Sequence, residues 1–160
     1  MNSTPHRSAP LTSAALAIAS LVAAVAATLV LPAAAQAAPP AGNVVFADDN
    51  LRLCAAEAIG GAGATEVTVT QAQTLTGNLN CAGRGIVSLG GIEHFTGLSG
   101  LGLDNNQIGD LAAGTFAGMS NLIGLSLDGN QISTIAPGAF SGLDSLQNLF
   151  VGANPIASLG

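Results

Sequence analysis

Leucine recurs along residues 98–156 in a pattern that ends each time in an asparagine and an isoleucine. The pattern runs leucine, three positions on leucine, two on leucine, three on asparagine and two on isoleucine, and it occurs three times at an interval of 24 residues. The only exception is Val151, which replaces a leucine. A weaker copy precedes these by 22 residues, with Leu79, Cys81, Arg84, Ile86 and Leu89 in the corresponding places. Self-similarity at a fixed period predicts a solenoid of stacked units.

The spacing of the leucines indicates which side chains face the interior. Alternate side chains of an extended segment point to one face, so Leu101 and Leu103 should lie inside and Gly102 outside. One unit cannot bury its apolar face alone, whereas stacked units share a continuous core along a parallel sheet. The asparagines follow the strands, where turning backbone needs donors and acceptors. We therefore predict a structural asparagine ladder rather than catalytic groups at Asn106, Asn130 and Asn154.

The outward positions of these strands form the candidate binding face. Asp104 and Asp128 should lie on adjacent strands, where they form either a solvated acidic strip or an attractor for a cation or a basic partner. Phe150 is the only aromatic side chain expected on this face. The predicted partner-binding residues are Asn80, Gly102, Asp104, Ser126, Asp128, Asn148 and Phe150.

The N-terminal 37 residues have the features of an export signal. Arg7 precedes an uncharged apolar run over residues 11–31, and Ala35-Gln36-Ala37 matches a cleavage site. We predict a signal peptide over residues 1–37 and a linker over 38–45. The apolar run is also long enough to span a bilayer, so an uncleaved membrane anchor is the alternative.

Export places the chain in an oxidising compartment, where its two cysteines matter. One disulfide between Cys54 and Cys81 is the natural inference, and two buried free thiols are the alternative. Three basic residues against nine acidic ones, with no lysine, make nucleic acid a poor partner. The motifs offer no catalytic constellation, and we predict no metal site, no cofactor and no enzymatic activity.

Residues 46–76 carry a helical pattern. Asp48 and the residues after it suit a helix start. Leu51, Cys54, Ala55 and Ala58 follow at helical spacing, with Gly60 able to close the helix. A second short helix is predicted to begin near Thr70.

The repeat resembles leucine-rich repeats: the 24-residue form is similar to the extracellular class, and the 22-residue form to bacterial internalins. The resemblance implies an α/β solenoid, a short arc with a parallel sheet of about four strands on its concave face and a helical N-terminal cap. Residues 46–76 would be the cap, and residues 77–160 about four repeats, the last incomplete. The Cys54–Cys81 bridge would then tie the cap to the solenoid. Arg84 departs from the pattern where an asparagine is expected.

The resemblance implies a secreted or cell-surface bacterial module that recognises a protein, or mediates adhesion, through its concave sheet. A targeting domain of a larger exported enzyme and a membrane-tethered structural surface protein are the alternatives. The last unit lacks a convex segment, which is expected of a fragment, of a chain that associates end to end, or of a fraying repeat.

Overall fold

The computed structural model describes residues 42–159. The predicted signal peptide and its cleavage site lie outside this range. The elements follow in the order α1 (Asp49–Gly60), α2 (Val69–Thr74), β1 (Gly77–Asn80), a 3-10 helix (Ile92–His94), β2 (Leu98–Gly102), β3 (Gly124–Ser126), β4 (Thr134–Ile135), β5 (Asn148–Phe150) and β6 (Ser158–Leu159).

Four strands form one parallel sheet in the order β1-β2-β3-β5, which confirms the predicted concave sheet. Its register places Leu79 beside Leu101, Leu101 beside Leu125 and Leu125 beside Leu149. Each repeat thus contributes one strand and one inward leucine. We number the repeats unit 1 (residues 76–97), unit 2 (98–121), unit 3 (122–145) and unit 4 (146–159).

The opposite, convex side carries a shorter ladder. There β4 pairs in parallel with β6, and an isolated parallel bridge joins Leu111 to Ile135. Phe116 and Phe140 lie beneath this side with nearly parallel rings, whose centroids are 6.0 Å apart. The core is therefore a set of rows that run along the solenoid, enclosed between the concave and convex ladders.

Helix α1 begins at the predicted place. Asp48 is its N-cap, and Oδ1 of Asp48 accepts hydrogen bonds from the backbone N–H groups of Asn50 (2.8 Å) and Leu51 (3.1 Å). The prediction was wrong for Ala58, which is exposed, while Ala56 is buried. The other predicted positions, Leu51, Cys54 and Ala55, are buried, so the buried face includes Ala56 in place of Ala58.

Helix α2 is built by a capping box. The Thr68 hydroxyl accepts from the Gln71 N–H, and the Gln71 side chain accepts from the Thr68 N–H. Before this helix, the backbone N–H of Val44 donates to the Val67 carbonyl at 2.8 Å. Residues from 43 onward therefore pack against the helical region, although they fall within the predicted linker.

Contacts of helix α1 fasten the helical region to unit 1. Cys54 of α1 and Cys81 form a disulfide with a Cα–Cα distance of 5.8 Å. Arg84, at the position where later units have asparagine, turns to α1 and pairs with Glu57 at 2.9 Å. This pair is solvent-exposed and stabilises little. Within residues 42–159, no helix has the length and apolarity needed to cross a bilayer.

Candidate functional site on the concave sheet

Outward side chains of the sheet stand in straight rows across the strands. The first row is Asn78, Gly100, Gly124 and Asn148, and the second is Asn80, Gly102, Ser126 and Phe150. They line a shallow trough of about 490 Å³. The structure thus brings Asn80, Gly102, Ser126, Asn148 and Phe150 together on one surface, with Asp104 along the same trough.

Glycine forms the floor of the trough for two different reasons. A Cβ atom at Gly100 would overlap Oδ1 of Asn78, so a side chain there would displace the Asn78 amide. A Cβ atom at Gly124 would meet nothing within 4 Å, and the backbone there is not in the left-handed region. Gly124 is therefore open space that a partner can reach, and a side chain placed there would fill the trough without disturbing the fold.

Two amide side chains flank this open floor. Asn78 and Asn148 are exposed, and neither side chain has a hydrogen-bond partner within residues 42–159. Each amide therefore offers donors and an acceptor to a ligand. Asn78 was not among the predicted binding residues because nothing in the repeat pattern distinguishes the first strand's outward positions.

Neighbours hold the carboxylates of the two predicted aspartates, of which Asp104 lines the trough and Asp128 does not. The Ser126 hydroxyl donates to Oδ1 of Asp104, and the Gly152 backbone N–H donates to Oδ1 of Asp128. Each aspartate thus contacts the next strand along, because the stacked register places the following unit within reach. The second carboxylate oxygen of each remains available to a partner.

Phe150 lies at the far edge of the trough and is 54% exposed, while the inward Leu149 beside it is 40% exposed. The equivalent inward leucines, Leu101 and Leu125, are 3% and 1% exposed. The edge of β5 is thus partly apolar. The predicted end-to-end association through this edge stays a prediction.

The asparagines that follow the strands lie below this face and bind backbone. Asn106 accepts from the N–H groups of Arg84 (2.9 Å) and Ile86 (3.1 Å) and donates to the carbonyls of Cys81 (3.0 Å) and Leu103 (2.9 Å). Asn130 and Asn154 repeat the arrangement one and two units later. Each side chain therefore joins its own unit to the preceding one.

Comparisons with known proteins agree with this architecture. Residues 96–156 match the family model described as leucine rich repeat. An internalin (inlF) from Listeria monocytogenes aligns at 28% identity and a TM-score of 0.61, over 71% of this chain and 32% of its own. The functional domain of InlJ from the same organism, described as including a cysteine ladder, aligns at 29% identity and a TM-score of 0.60, over 72% of this chain and 24% of its own. No curated protein sequence matches significantly.

Residues 96–156 are thus leucine-rich repeats, and the chain is similar to internalins. It spans about a third of the length of the inlF structure and about a quarter of the InlJ structure. Its second leucine-rich repeat and those after it carry the ladder asparagine. The first carries Arg84 instead, because its neighbour is helix α1 rather than another repeat.

Two carboxylates accept hydrogen bonds from backbone N–H groups of the following unit, a role that sequence reasoning missed. Oδ2 of Asp48 accepts from the backbone N–H groups of Val87 (2.8 Å) and Ser88 (3.4 Å) in unit 1. Asp110 of unit 2 does the same for Ser133 (3.1 Å) and Thr134 (2.7 Å) in unit 3. The paired N–H groups occupy equivalent positions, one and two residues after the inward isoleucine of each leucine-rich repeat.

The hydrogen bonds lower the pKa of both carboxyl groups below the ordinary value of 3.8. Partial burial opposes ionisation of Asp48, but four backbone N–H groups outweigh it and lower its pKa. The pKa of Asp110 is lowered chiefly by the Ser133 hydroxyl and then by the Thr134 N–H. Their signal in the sequence is only an aspartate before or within a turn, which is too common to identify them.

Metal ligands and His94 are the remaining groups to consider for chemistry in this chain. Within residues 42–159, no group of three or more His, Cys, Asp or Glu side chains is arranged to hold a metal ion. His94 lies on the convex side in the 3-10 helix, with Nε2 3.9 Å from Oε1 of Glu93. The arrangement of the trough suits hydrogen bonding and apolar contact with another molecule.

Proposed function

We propose that this chain is a secreted, non-catalytic module for protein recognition or adhesion, and that it binds its partner through the concave trough. The observation that carries the proposal is the open floor at Gly124, flanked by the free amides of Asn78 and Asn148 and bordered by the exposed Phe150. The likeness to internalins supports a protein partner. The export signal predicted for residues 1–37 and the disulfide support an extracytoplasmic location.

The trough combines the elements of a small recognition surface. Phe150 supplies apolar area with little conformational entropy to lose, as aromatic contact residues do. The amides of Asn78 and Asn148 supply orientation, because a partner must match their donors and acceptors. Binding energy should therefore concentrate at the Phe150 edge, and specificity at the two amides.

The charges of the trough favour a partner with a neutral or basic contact surface. Asp104 lines it, and none of the residues that line it is basic. The chain as a whole has a formal net charge of −6. Electrostatic attraction of this kind acts mainly on the association rate and weakens with salt.

A blocking substitution tests the proposal directly. Partners are captured by chemical cross-linking to the purified chain, and their affinity is then measured for Gly124→Gln, for Phe150→Ala and for the unaltered chain. Gly124→Gln fills the trough, so we expect at least a tenfold loss of affinity, and about tenfold for Phe150→Ala. The melting temperature should not change, because both positions are open to solvent.

Gly109→Gln is the matched control. Gly109 also has nothing within 4 Å of its Cβ position and an ordinary backbone conformation, but it lies on the convex side. Partner affinity should survive this change. Loss of binding with Gly109→Gln and retention with Gly124→Gln would place the partner on the other face and refute the proposal.

A further inference from the structure

The convex ladder is complete between units 2 and 3. The Leu111 N–H donates to the Thr134 carbonyl at 3.0 Å, and the Ala136 N–H donates to the Leu111 carbonyl at 2.9 Å. Leu111 is thus held between the two residues that flank Ile135, as in any parallel bridge. The pairing of β4 with β6 continues the ladder into unit 4.

The ladder is interrupted between units 1 and 2. The residue of unit 1 equivalent to Leu111 is Leu89, but the Leu89 carbonyl accepts from the Ile92 N–H at 3.0 Å and begins the 3-10 helix. Unit 1 is two residues shorter than units 2 and 3, and its chain enters the 3-10 helix soon after Leu89. Within residues 42–159, no backbone hydrogen bond therefore joins unit 1 to the segment 110–112.

One edge of the segment 110–112 is left open by this interruption. Successive residues of an extended segment direct their backbone groups to opposite sides, and those of Leu111 point toward unit 3. The Asp110 carbonyl and the Ala112 N–H consequently point toward unit 1. Neither has a hydrogen-bond partner within the described range. They border a cleft of about 340 Å³.

The walls of this cleft combine apolar and acidic groups. Leu89, Ile108 and Leu111 line it, as do the acidic residues Glu93 and Asp110, and no basic residue does. Oδ1 of Asp110 is used by Ser133 and Thr134, whereas Oδ2 accepts no hydrogen bond from residues 42–159. One oxygen of Glu93 accepts from the Gly91 N–H at 2.9 Å, and the other lies 3.9 Å from His94. Carboxylate oxygens remain to pair with a cation.

We propose that this cleft binds an extended peptide segment of a partner protein that carries a lysine or arginine side chain. One residue of the peptide donates its N–H to the Asp110 carbonyl and accepts from the Ala112 N–H, which restores the missing bridge of the ladder. Addition of an extended peptide to an open strand edge is a general mode of recognition. The cationic side chain pairs with Asp110 and Glu93. The site is separate from the concave trough and does not depend on it.

A short synthetic peptide serves as the probe. A fluorescein-labelled, amide-capped Thr-Val-Lys-Val-Thr peptide is titrated with the purified chain, and binding is followed by fluorescence anisotropy. We expect saturable binding that weakens when glutamate replaces the lysine of the peptide. N-methylation of the peptide at the bridging residue removes one of the two backbone bonds, so affinity should fall about tenfold.

Two proline substitutions provide the matched pair. Ala112→Pro removes the N–H that the peptide needs and should weaken binding about tenfold. Ala113→Pro keeps that N–H, and Pro137 already occupies the equivalent position of unit 3, so this variant should fold and bind normally. The N-methylated peptides test the same bond on the unaltered chain, so the result does not depend on Ala112→Pro folding.

Three outcomes would overturn the proposal. They are no binding of the lysine peptide at about 1 mM, equal weakening by the two proline variants, and no effect of N-methylation at any peptide position. Gly124→Gln fills the concave trough and should leave peptide binding unchanged. The two sites can therefore fail or succeed independently.

Discussion

The two ends of the concave sheet hold the same kind of leucine in different surroundings. Leu79, in β1, is 1% exposed, whereas Leu149, in β5, is 40% exposed. Both occupy the same row and the same inward position of the repeat. The difference lies in what covers them: helix α1, a disulfide and Asp48 close the first end, and the described residues place no comparable cover over the second.

The comparison shows that burial in a solenoid is a property of neighbours rather than of the repeat itself. Each inward side chain is covered by the unit before it and the unit after it. The N-terminal helical region replaces the missing neighbour of unit 1 with side chains of a different fold. Local stability against unfolding should accordingly be highest in units that are covered on both sides, either by another unit or by the helical region.

Removing the disulfide should have the largest effect on this difference. The Cys54–Cys81 bridge closes a loop with a sequence separation of 27. Its loss in a Cys54→Ala/Cys81→Ala variant should lower the free energy of unfolding by about 3–4 kcal/mol. Urea unfolding of the oxidised chain and the double variant measures the change. A difference below about 1 kcal/mol would mean that packing alone holds the helical region in place.

Two leucine substitutions compare the interior with the open end. Leu125→Ala should cost about 3 kcal/mol, because the side chain is fully buried and leaves a cavity. Leu149→Ala should cost about 1 kcal/mol, because much of its side chain is already in water. The two variants are matched in residue type and in register, so equal losses on chemical unfolding would show that unit 4 is covered by something else in solution.

The smallest expected effect belongs to Asp48, which joins the helical region to unit 1. Asp48→Asn replaces Oδ2, which accepts from the Val87 and Ser88 N–H groups, with an NH2 donor, so it should lower the free energy of unfolding by about 1 kcal/mol near neutral pH. Because the folded-state pKa of Asp48 is lowered, its contribution is present above the unfolded pKa and is lost as the pH falls through the folded one. The difference between the unaltered chain and the variant should therefore shrink below about pH 4.

Asp110→Asn gives the corresponding control inside the solenoid. The pKa of Asp110 is also lowered, so its contribution should be lost over the same acidic range. Unfolding curves at several pH values measure both variants. A stability difference for Asp48→Asn that stays constant down to the acid limit would argue that its carboxylate is not what joins the two regions.

Much of the fold follows from spacing. The interval between the leucines predicted the parallel sheet and the row through Leu101, Leu125 and Leu149, because stacked units of constant length must align their equivalent residues. Helical spacing predicted α1 and the two cysteines predicted the disulfide, whereas the internalin-like resemblance implied that the bridge ties the helical region to the repeats. Ala58 was assigned to the wrong face because helical spacing alone does not say which side a neighbour covers.

The sites depended on details that a repeat pattern does not carry. Asn78 and Asn80 look alike in sequence but differ in the fold. Oδ1 of Asn80 accepts from the Ala82 N–H at 3.0 Å, whereas the Asn78 side chain has no hydrogen-bond partner within residues 42–159. The convex cleft arises from a two-residue difference in unit length, which could be counted in the sequence but not located in space. Its open carbonyl and N–H belong to the backbone, where every residue has the same groups.

The sequence by itself determined the period, the inward and outward faces and the row of asparagines, because these depend on local geometry repeated at a constant interval. The tertiary structure decided which polar groups have no partner within residues 42–159, namely the side-chain amides of Asn78 and Asn148, the Asp110 carbonyl and the Ala112 N–H. Whether a hydrogen-bonding group is free depends on the one neighbour within about 3 Å of it, and that neighbour comes from a distant part of the chain.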